Sequence, residues 1–493
     1  MKVKESLSWI GQIKIPYPQK LLPVVKQATL IGGTIGLGCL LGVLLTSPSS
    51  ELIIALVSSS AFLLVPLANP LFGLVFVIIT HPLSDHFAII ELGSAIPNMS
   101  PYRLVVAFMT SLLLLRAATG IKKPRYTRIN IGVAGLLFIA GYALSFQNGH
   151  FTTNRAIQFL LDTWMLPLII YYIIVNLIDD RKKLDITLHL LLILGVYSAL
   201  YMIYEQTTGN ILFEVRDTFK NFYRGSNLRI VRGLYGTTTI FGNLLNLLIP
   251  IDIYYFLRAR TSGKKLWYLL ALGIMLVGVY LTYKRAVWMG MLLSFLIIQF
   301  LYPQFRKFFV IILILFVIGM AASWDSVSNS EVITFRVTET DDWEDANGRT
   351  ERWEAGLEFW KKNPIFGSGF RCYEDGPYEQ VENLYIHLLA SAGLITFVPF
   401  LAILFTVLRD SIKIFRQTGE NAKLFVDRNL IAVFWGAFTA YFFMAYFGSG
   451  VEGRPISNVI LFTIIGTLVG SQVPLLARPA RNSATKQKNA DPI

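Results

Sequence analysis

The sequence predicts an all-α polytopic membrane protein with about 14 transmembrane helices and one large, partly helical periplasmic loop. High hydrophobicity and low charge are two features that predict this class. Hydrophobic residues make up 54 % of the 493 residues, charged residues make up 15 %, and the mean hydropathy is +0.55. Soluble domains carry about 25 % charged residues. The third feature is that the apolar residues form long runs, most of them near the length that crosses a bilayer.

The apolar runs, taken in order, are the predicted transmembrane segments. They are 27–46, 52–68, 70–83, 102–118, 129–146, 157–178, 185–205, 237–257, 266–283, 286–301, 307–322, 384–408, 428–447 and 456–476. The segments 52–68 and 70–83 are short and flank Pro70, so they could together form one broken hairpin. The count therefore holds to within about two segments, because a span needs roughly 20 residues.

Lysine and arginine clusters fall in alternate loops between these segments. The clusters lie at 2–20, 122–128, 181–183, 258–265, 306–307, 413–428 and 478–488. Cytoplasmic loops carry such an excess of both residues, so we expect both termini to be cytoplasmic. The same placement accounts for the net charge of +13 without nucleic-acid binding. The polar N-terminus is not expected to be a cleavable signal.

These segments divide the chain into five parts. We expect an interfacial or cytoplasmic N-terminal segment at 1–26, transmembrane helices 1–11 at 27–322, a periplasmic loop domain at 323–383, transmembrane helices 12–14 at 384–476 and a cytoplasmic basic tail at 477–493. Cys39 lies in a predicted span and Cys372 in the loop, so they cannot pair within one chain. The five histidines show no metal-ligand spacing, and neither a metal nor another cofactor is predicted.

Arginine dominates the basic residues that this topology assigns to the outer face. These residues are Arg103, Arg155, Arg224, Arg229, Arg232, Lys284, Arg285, Arg336, Arg349, Arg352, Arg371 and Arg454. A guanidinium group binds two phosphate oxygens at once, which lysine cannot do. Outward arginines at span ends could therefore hold a pyrophosphate, and Arg155, Arg232 and Arg336 are candidate substrate-binding residues. The alternative is that they snorkel to lipid headgroups or pair with acids of the outer loop.

Arg285 and Asp162 are notable for their positions. Arg285 lies in LTYKRAVWMG, between two apolar runs with almost no loop, so we expect it at the outer lip of the membrane. Asp162 lies about two turns into a span, on the same helix face as Arg155, since seven residues are close to two turns. An acid inside a span is a functional candidate. It could bind substrate, or it could orient Arg155 or another arginine.

The loop 323–383 is expected to carry the chemistry. The stretch RTERWEAGLEFWKKNP predicts a helix, because Trp353, Leu357 and Trp360 recur at spacings of four and three; Pro364 ends it. Arg349 and Arg352 lie on this helix. Glu382, Asn383 and Tyr385 open the next span at the water boundary, where a carboxylate is well placed to accept a proton from an acceptor hydroxyl. Alternatively, Glu382 has no catalytic role, and an acid stands there only because the helix dipole favours negative charge at a helix N-terminus. His387 is expected to be buried rather than to act as the base.

Several motifs in this order resemble the O-antigen ligase and bacterial polysaccharide polymerase superfamily. They are RGLYGTTTIFGN (232–243), LTYKRAVW, FRVTET (335–340), GRTERWEAGLEFWKKNPIFGSGF and ENLYIHLLASAGL. The resemblance spans about residues 130–470. The family's Ser-Arg-Gly arginine falls on Arg285, and its second arginine falls on Arg349, with Arg352 as the competing choice. The family's histidine falls on Glu382, a departure that leaves the ligase mechanism in doubt but leaves a base for an inverting polymerase.

The resemblance implies a metal-independent membrane glycosyltransferase of the inner membrane, active on its periplasmic face. The donor would be a polyprenyl-pyrophosphate-linked oligosaccharide, the acceptor a glycan or lipid, and polysaccharide export proteins would be further partners. A transporter of a small anion such as bicarbonate is the alternative. Transporters place charged sites near the membrane midplane, whereas most of these charges lie at the outer surface. A scaffold in an export assembly is the third hypothesis.

Overall fold

The computed structural model describes residues 70–81, 100–119, 131–148, 153–211, 229–235, 237–322, 341–370, 372–373, 381–418, 425–447 and 456–471. They belong to one compact unit, Val65–Ile493. The regular elements in these ranges are helices, in agreement with the predicted class. They are α1 (Pro70–Thr80), α2 (Pro101–Ala118), α3 (Ile131–Ser145), α4 (Thr153–Leu160), α5 (Leu166–Leu177), α6 (Arg181–Thr208), α7 (Thr238–Arg258), α8 (Ser262–Leu281), α9 (Arg285–Leu301), α10 (Pro303–Ala322), α11 (Asp341–Lys362), α12 (Leu384–Gln417), α13 (Arg428–Phe447) and α14 (Ile456–Gly470).

The predicted segments from 70–83 onward each coincide with helical structure, and 157–178 corresponds to α4 and α5 together. The segments 27–46 and 52–68 lie outside the described residues. Within the described part, six helical segments are long and apolar enough to cross a membrane: Ala156–Leu177, Arg181–Thr208, Thr238–Arg258, Ser262–Leu281, Leu384–Gln417 and Arg428–Phe447. Helices α3, α9 and α14 are apolar but shorter. The protein is therefore a multi-pass membrane protein, and the total of about 14 spans stays a prediction.

Helix α7 lies at the centre of the bundle, where it packs against α6, α8, α9, α13 and α14. Almost all of its side chains from Thr238 to Tyr255 are buried. A helix that is apolar around its whole circumference is normally surrounded by other helices. Against that background its buried polar residues stand out, among them Asp252.

A wider turn of π-helix, Leu161–Met165, separates α4 from α5. Pro167 has no N–H group, so the carbonyl of Thr163 four residues earlier loses its usual helical partner. The side chain of Asn458 in α14 donates to this carbonyl at 2.9 Å. The Asn458 side chain also accepts a hydrogen bond from Tyr441 of α13. The carbonyl that the proline frees is thus connected through Asn458 of α14 to Tyr441 of α13.

The bundle has two ends, which we call the site end and the opposite end. Helix α13 has 20 residues and so runs about 30 Å between them. At the opposite end, Asp427 lies just before α13 and pairs with Arg181 of α6 and Arg258 of α7. At the site end, the ring of Tyr446 lies 5.2 Å from the ring of Trp353 in α11. The candidate site is built around this second contact.

Candidate functional site

Helix α11 forms where the sequence predicted it and is held to the site end by aromatic residues. Trp353 contacts Tyr446, and Trp353 and Phe359 both pack against a buried cluster that contains Tyr373 and Val381. The helix ends at Lys362, because Asn363 precedes Pro364 and the residue before a proline disfavours helical geometry. Trp353 thus packs on a transmembrane helix.

The loop 364–369 is bonded to a break in α12. At Gly393 the backbone leaves helical geometry, with φ 64° and ψ −171°. Such a break leaves carbonyls on one side and amides on the other without helical partners. The loop supplies them: Ser368 N donates to Ala390 O at 2.8 Å, Gly369 N to Ser391 O at 3.0 Å, Leu394 N to Pro364 O at 2.9 Å and Ile395 N to Ile365 O at 3.0 Å. We call this set of four hydrogen bonds the clamp.

The clamp explains why glycines stand at 367 and 369 and why this turn lies beside α12. Gly367 has φ 73°, and a Cβ there would lie 2.5 Å from Ala392 N. The apolar pattern of 384–408 does not show the break, because apolar residues continue through it. As a result, the first nine residues of α12 form a separate piece, Leu384–Ala392, whose position is fixed by the loop that follows α11.

Glu382 lies between two arginines of α11. Arg349 Nε donates to Glu382 Oε2 at 3.1 Å, and Arg352 Nη1 lies 3.3 Å from Glu382 Oε1. Residues three apart share a helix face, so both guanidinium groups reach the same carboxylate. The Glu382 side chain is 31 % exposed, and an ion pair this open to water contributes at most about 1 kcal/mol to stability. The fold therefore does not depend on this grouping.

Asn383 and Tyr385 hold Glu382 at the start of α12. The Asn383 side-chain oxygen accepts from Tyr385 N at 3.0 Å and from Ile386 N at 3.1 Å, which makes Asn383 the N-cap. The Tyr385 hydroxyl donates to Phe442 O of α13 at 3.4 Å. Both residues thus have a structural role in the described contacts, and their predicted role in substrate binding stays a prediction.

Arg285 begins α9 at the same end of the bundle. The preceding Tyr283 has φ 48°, an uncommon backbone for a residue other than glycine, and such strain is concentrated at functional sites. The α9 backbone at Val287 accepts from Asn246 of α7 at 3.0 Å, which fixes the helix start. A basic residue in the first helical turn faces the positive end of the helix dipole. Arg285 and the N-terminus of α9 therefore suit an anion.

Residues 270–401 match the family model described as O-Antigen ligase. We call this matched stretch the O-antigen ligase segment. It contains Arg285, Arg349, Arg352 and Glu382, and it confirms the resemblance that the sequence motifs indicated. No curated protein matches the chain.

Inside the O-antigen ligase segment, His387 is buried, as predicted. Its side chain is 2 % exposed. The Tyr373 hydroxyl lies 2.7 Å from His387 Nδ1, and the Tyr142 hydroxyl lies 3.3 Å from Nε2. Both ring nitrogens are thus occupied by tyrosines. His387 of α12 thus connects Tyr142 of α3 with Tyr373, which follows the loop 364–369. Of Glu382 and His387, Glu382 has the more accessible side chain.

The remaining candidate residues precede the O-antigen ligase segment. Asp162 pairs with Arg103 of α2, whose Nε donates to Asp162 Oδ1 at 2.8 Å. Sequence reasoning left open which arginine Asp162 orients, and the structure identifies Arg103. Arg336 and the side chain of Arg155 lie outside the described residues.

Arg232 is also buried, and its backbone N–H donates to Glu205 Oε1 at 2.9 Å. Gly233 N donates to the other oxygen at 2.8 Å. Sequence reasoning missed Glu205, although an acid at the end of the predicted span 185–205 was a usable signal. No group of three or more His, Cys, Asp or Glu side chains in the described part could hold a metal ion.

Proposed function

We propose that the protein is a membrane glycosyltransferase that polymerises or ligates polyprenyl-pyrophosphate-linked glycans at the outer face of the inner membrane. The observation that supports this most is the position of Glu382 between Arg349 and Arg352, inside the O-antigen ligase segment. The proposal includes the predicted topology, with about 14 spans, cytoplasmic termini and the loop 323–383 on the periplasmic side. The site end would then face the periplasm.

The arginines would bind the pyrophosphate of the donor. Arg349 and Arg352 each have further N–H groups beyond those near Glu382, because a guanidinium group carries five. Arg285 would approach the same pyrophosphate from the start of α9. Fixed positive charge placed where negative charge develops on the leaving group lowers the barrier. Here the guanidinium groups of these three arginines provide that charge.

Donor binding would also release the base. In the free protein each oxygen of Glu382 is engaged by one arginine. A pyrophosphate carries more charge than one carboxylate and binds guanidinium groups bidentately. It would therefore displace Glu382, and the freed carboxylate could turn to the acceptor.

The reaction itself is a substitution at the anomeric carbon. Glu382 takes the proton of the acceptor hydroxyl, and the acceptor oxygen forms a bond to the anomeric carbon. The bond between that carbon and the pyrophosphate oxygen breaks, and polyprenyl pyrophosphate leaves with its charge balanced by the arginines. The acceptor is a second lipid-linked glycan for a polymerase, or a different lipid or glycan for a ligase. Polysaccharide export proteins would receive the product.

The test uses purified protein in nanodiscs with a polyprenyl-pyrophosphate-linked oligosaccharide. Product glycans and released polyprenyl pyrophosphate are measured by mass spectrometry. We expect transfer by the wild type and a loss of roughly 100-fold in Arg285→Ala, the size of effect seen when one charge-stabilising donor is removed. Arg285→Lys should also be impaired, because an ammonium group lacks the bidentate fork. Arg306→Ala, at an exposed position on α10, is the matched control; full activity in both Arg285 variants would remove Arg285 from the mechanism.

A further inference from the structure

Asp252 is a carboxylic acid in the interior of the bundle. It lies on α7, its exposed fraction is 0 %, and among the described residues neither carboxyl oxygen has a hydrogen-bond partner. It precedes Arg258, the last residue of α7, by six positions, which is about 9 Å along the helix axis. It follows Thr238, the first residue, by fourteen positions, or about 21 Å. Asp252 therefore lies nearer the opposite end and is not part of the site around Glu382.

A bare carboxylate at this depth is not tenable. An ionised group costs several kcal/mol or more when it is moved from water into an apolar interior without a partner. It must therefore be paired with a cation, coordinate a metal ion or carry a proton. The surroundings of Asp252 distinguish these three states.

No cation of the described helices packed against α7 pairs with Asp252. On α6, Arg181 and Lys183 pair with Asp185 and Asp179, and the ring nitrogens of His189 lie against the Asp185 carbonyl oxygen and the Tyr268 hydroxyl. Between 286 and 301 in α9, 429 and 447 in α13, and 456 and 470 in α14 the sequence contains no charged residue and no histidine. The basic residues of α8 and α10 lie in the first turns of those helices and are exposed. Among the described residues, no cluster of His, Cys, Asp and Glu could hold a metal ion. Binding of a proton is the state that remains.

Polar side chains on α6, α7 and α8 connect this region with the opposite end. His189 Nε2 of α6 lies 2.8 Å from the Tyr268 hydroxyl of α8. Asp252 is the seventh residue from the end of α7 and Tyr268 is the seventh residue of α8, so the two lie at about the same level of these adjacent helices. The ring of Tyr255 lies 4.3 Å from that of His189, and its hydroxyl donates to Asp185 Oδ1 at 2.7 Å. Asp185 pairs with Arg181 at the end of the bundle. Hydroxyl and imidazole groups can each accept and donate a proton.

We propose that Asp252 is a proton-binding site in the membrane domain, occupied by a proton and in exchange with water at the opposite end past the hydroxyl of Tyr268 and the imidazole of His189. The ligand is a proton rather than a metal cation or an organic anion. The site does not depend on the proposed glycosyltransferase activity, because it shares no residue with the site around Glu382. It gives the chain a second chemical function at the other end of the bundle.

Infrared spectroscopy of the protein in nanodiscs tests the proposal directly. A neutral carboxyl group has a C=O stretch that a carboxylate lacks. We expect this band in the wild type and its loss in Asp252→Asn, which keeps the size of the side chain. The matched control is Asp410→Asn, because Asp410 is 7 % exposed but pairs with Arg409 and Lys413; it should leave the band unchanged. A wild-type spectrum identical to that of Asp252→Asn would overturn the proposal.

Exchange is tested by transfer into D2O at constant temperature. The Asp252 band should shift as deuterium replaces the proton, and it should shift more slowly in Tyr268→Phe, which removes the hydroxyl that contacts His189. A band that does not shift would show a sealed structural carboxyl and overturn the exchange path. If sodium ions remove the band, the site takes a metal cation and the proposal is wrong.

Discussion

Replacement of Gly393 by alanine should destroy the geometry of the site without touching Glu382 or either arginine. At φ 64° and ψ −171° the backbone is in a region that is almost restricted to glycine. An added Cβ would overlap the Ile365 carbonyl oxygen and lie 2.5 Å from Gly367 N. Both neighbours are backbone atoms, so no side-chain rotation can make room for it.

The magnitude follows from two terms. A residue other than glycine in this backbone region costs about 1–3 kcal/mol. Separation of the loop from α12 would break the clamp, and each of its hydrogen bonds contributes about 1 kcal/mol. Together these terms amount to roughly 5–7 kcal/mol, whereas a whole domain is stable by only about 5–15 kcal/mol. In Gly393→Ala the piece Leu384–Ala392 should therefore leave its native position. The contact between Glu382 and α11 should be lost with it.

The assay heats the detergent-solubilised protein and measures the fraction that remains monodisperse by size-exclusion chromatography. Gly273→Ala is the control, because a Cβ at this helical position of α8 meets nothing within 4 Å, and alanine is favoured over glycine in a helix by about 1 kcal/mol. We expect Gly393→Ala to aggregate well below the wild-type temperature and Gly273→Ala to match or exceed it. Equal melting of the two variants would refute the described clamp.

Two further predictions concern topology and His387. Reporter fusions at Lys123, Lys264 and Arg416 should report the cytoplasm. A fusion at Asn347 should report the other side of the membrane, and a cytoplasmic signal there would overturn the assignment of the site end to the periplasm. His387→Ala removes one hydrogen bond from each of the Tyr142 and Tyr373 hydroxyls, at a cost of about 1 kcal/mol for each bond, so the melting temperature should fall while the folded fraction still transfers glycan. Normal stability with no transfer would show that the base is His387.

The helices could be predicted from the sequence because each one depends on a local property. Apolar runs of suitable length mark α2 to α10 and α13, and the spacing of Trp353, Leu357 and Trp360 marks α11. Sequence reasoning placed Glu382 and the two arginines in the same loop, 323–383, but it did not predict the contact among them. Its detail, one oxygen for each arginine, depends on how α11 is rotated, and a sequence pattern does not fix that rotation.

The features that sequence reasoning missed all depend on contacts between distant residues. Gly393 looks like any small residue within an apolar run, and only the loop that pairs with it makes its backbone conformation necessary. Pro167 shows locally that a carbonyl is freed, but the partner Asn458 lies far along the chain. Arg103 carried the same outward-arginine signal as eleven other basic residues, so nothing in the sequence singled it out as the partner of Asp162.

The central claim is that donor pyrophosphate takes the two arginines from Glu382 and so frees the base. Glu382→Gln tests it most directly, because it removes the competing charge and the basicity but keeps the size of the side chain. Donor binding and glycan transfer are measured on the same preparation, with Glu358→Gln on the exposed face of α11 as the control. The account predicts that Glu382→Gln binds the donor more tightly than the wild type and transfers glycan roughly 100-fold or more slowly. Weaker donor binding together with normal transfer would contradict it.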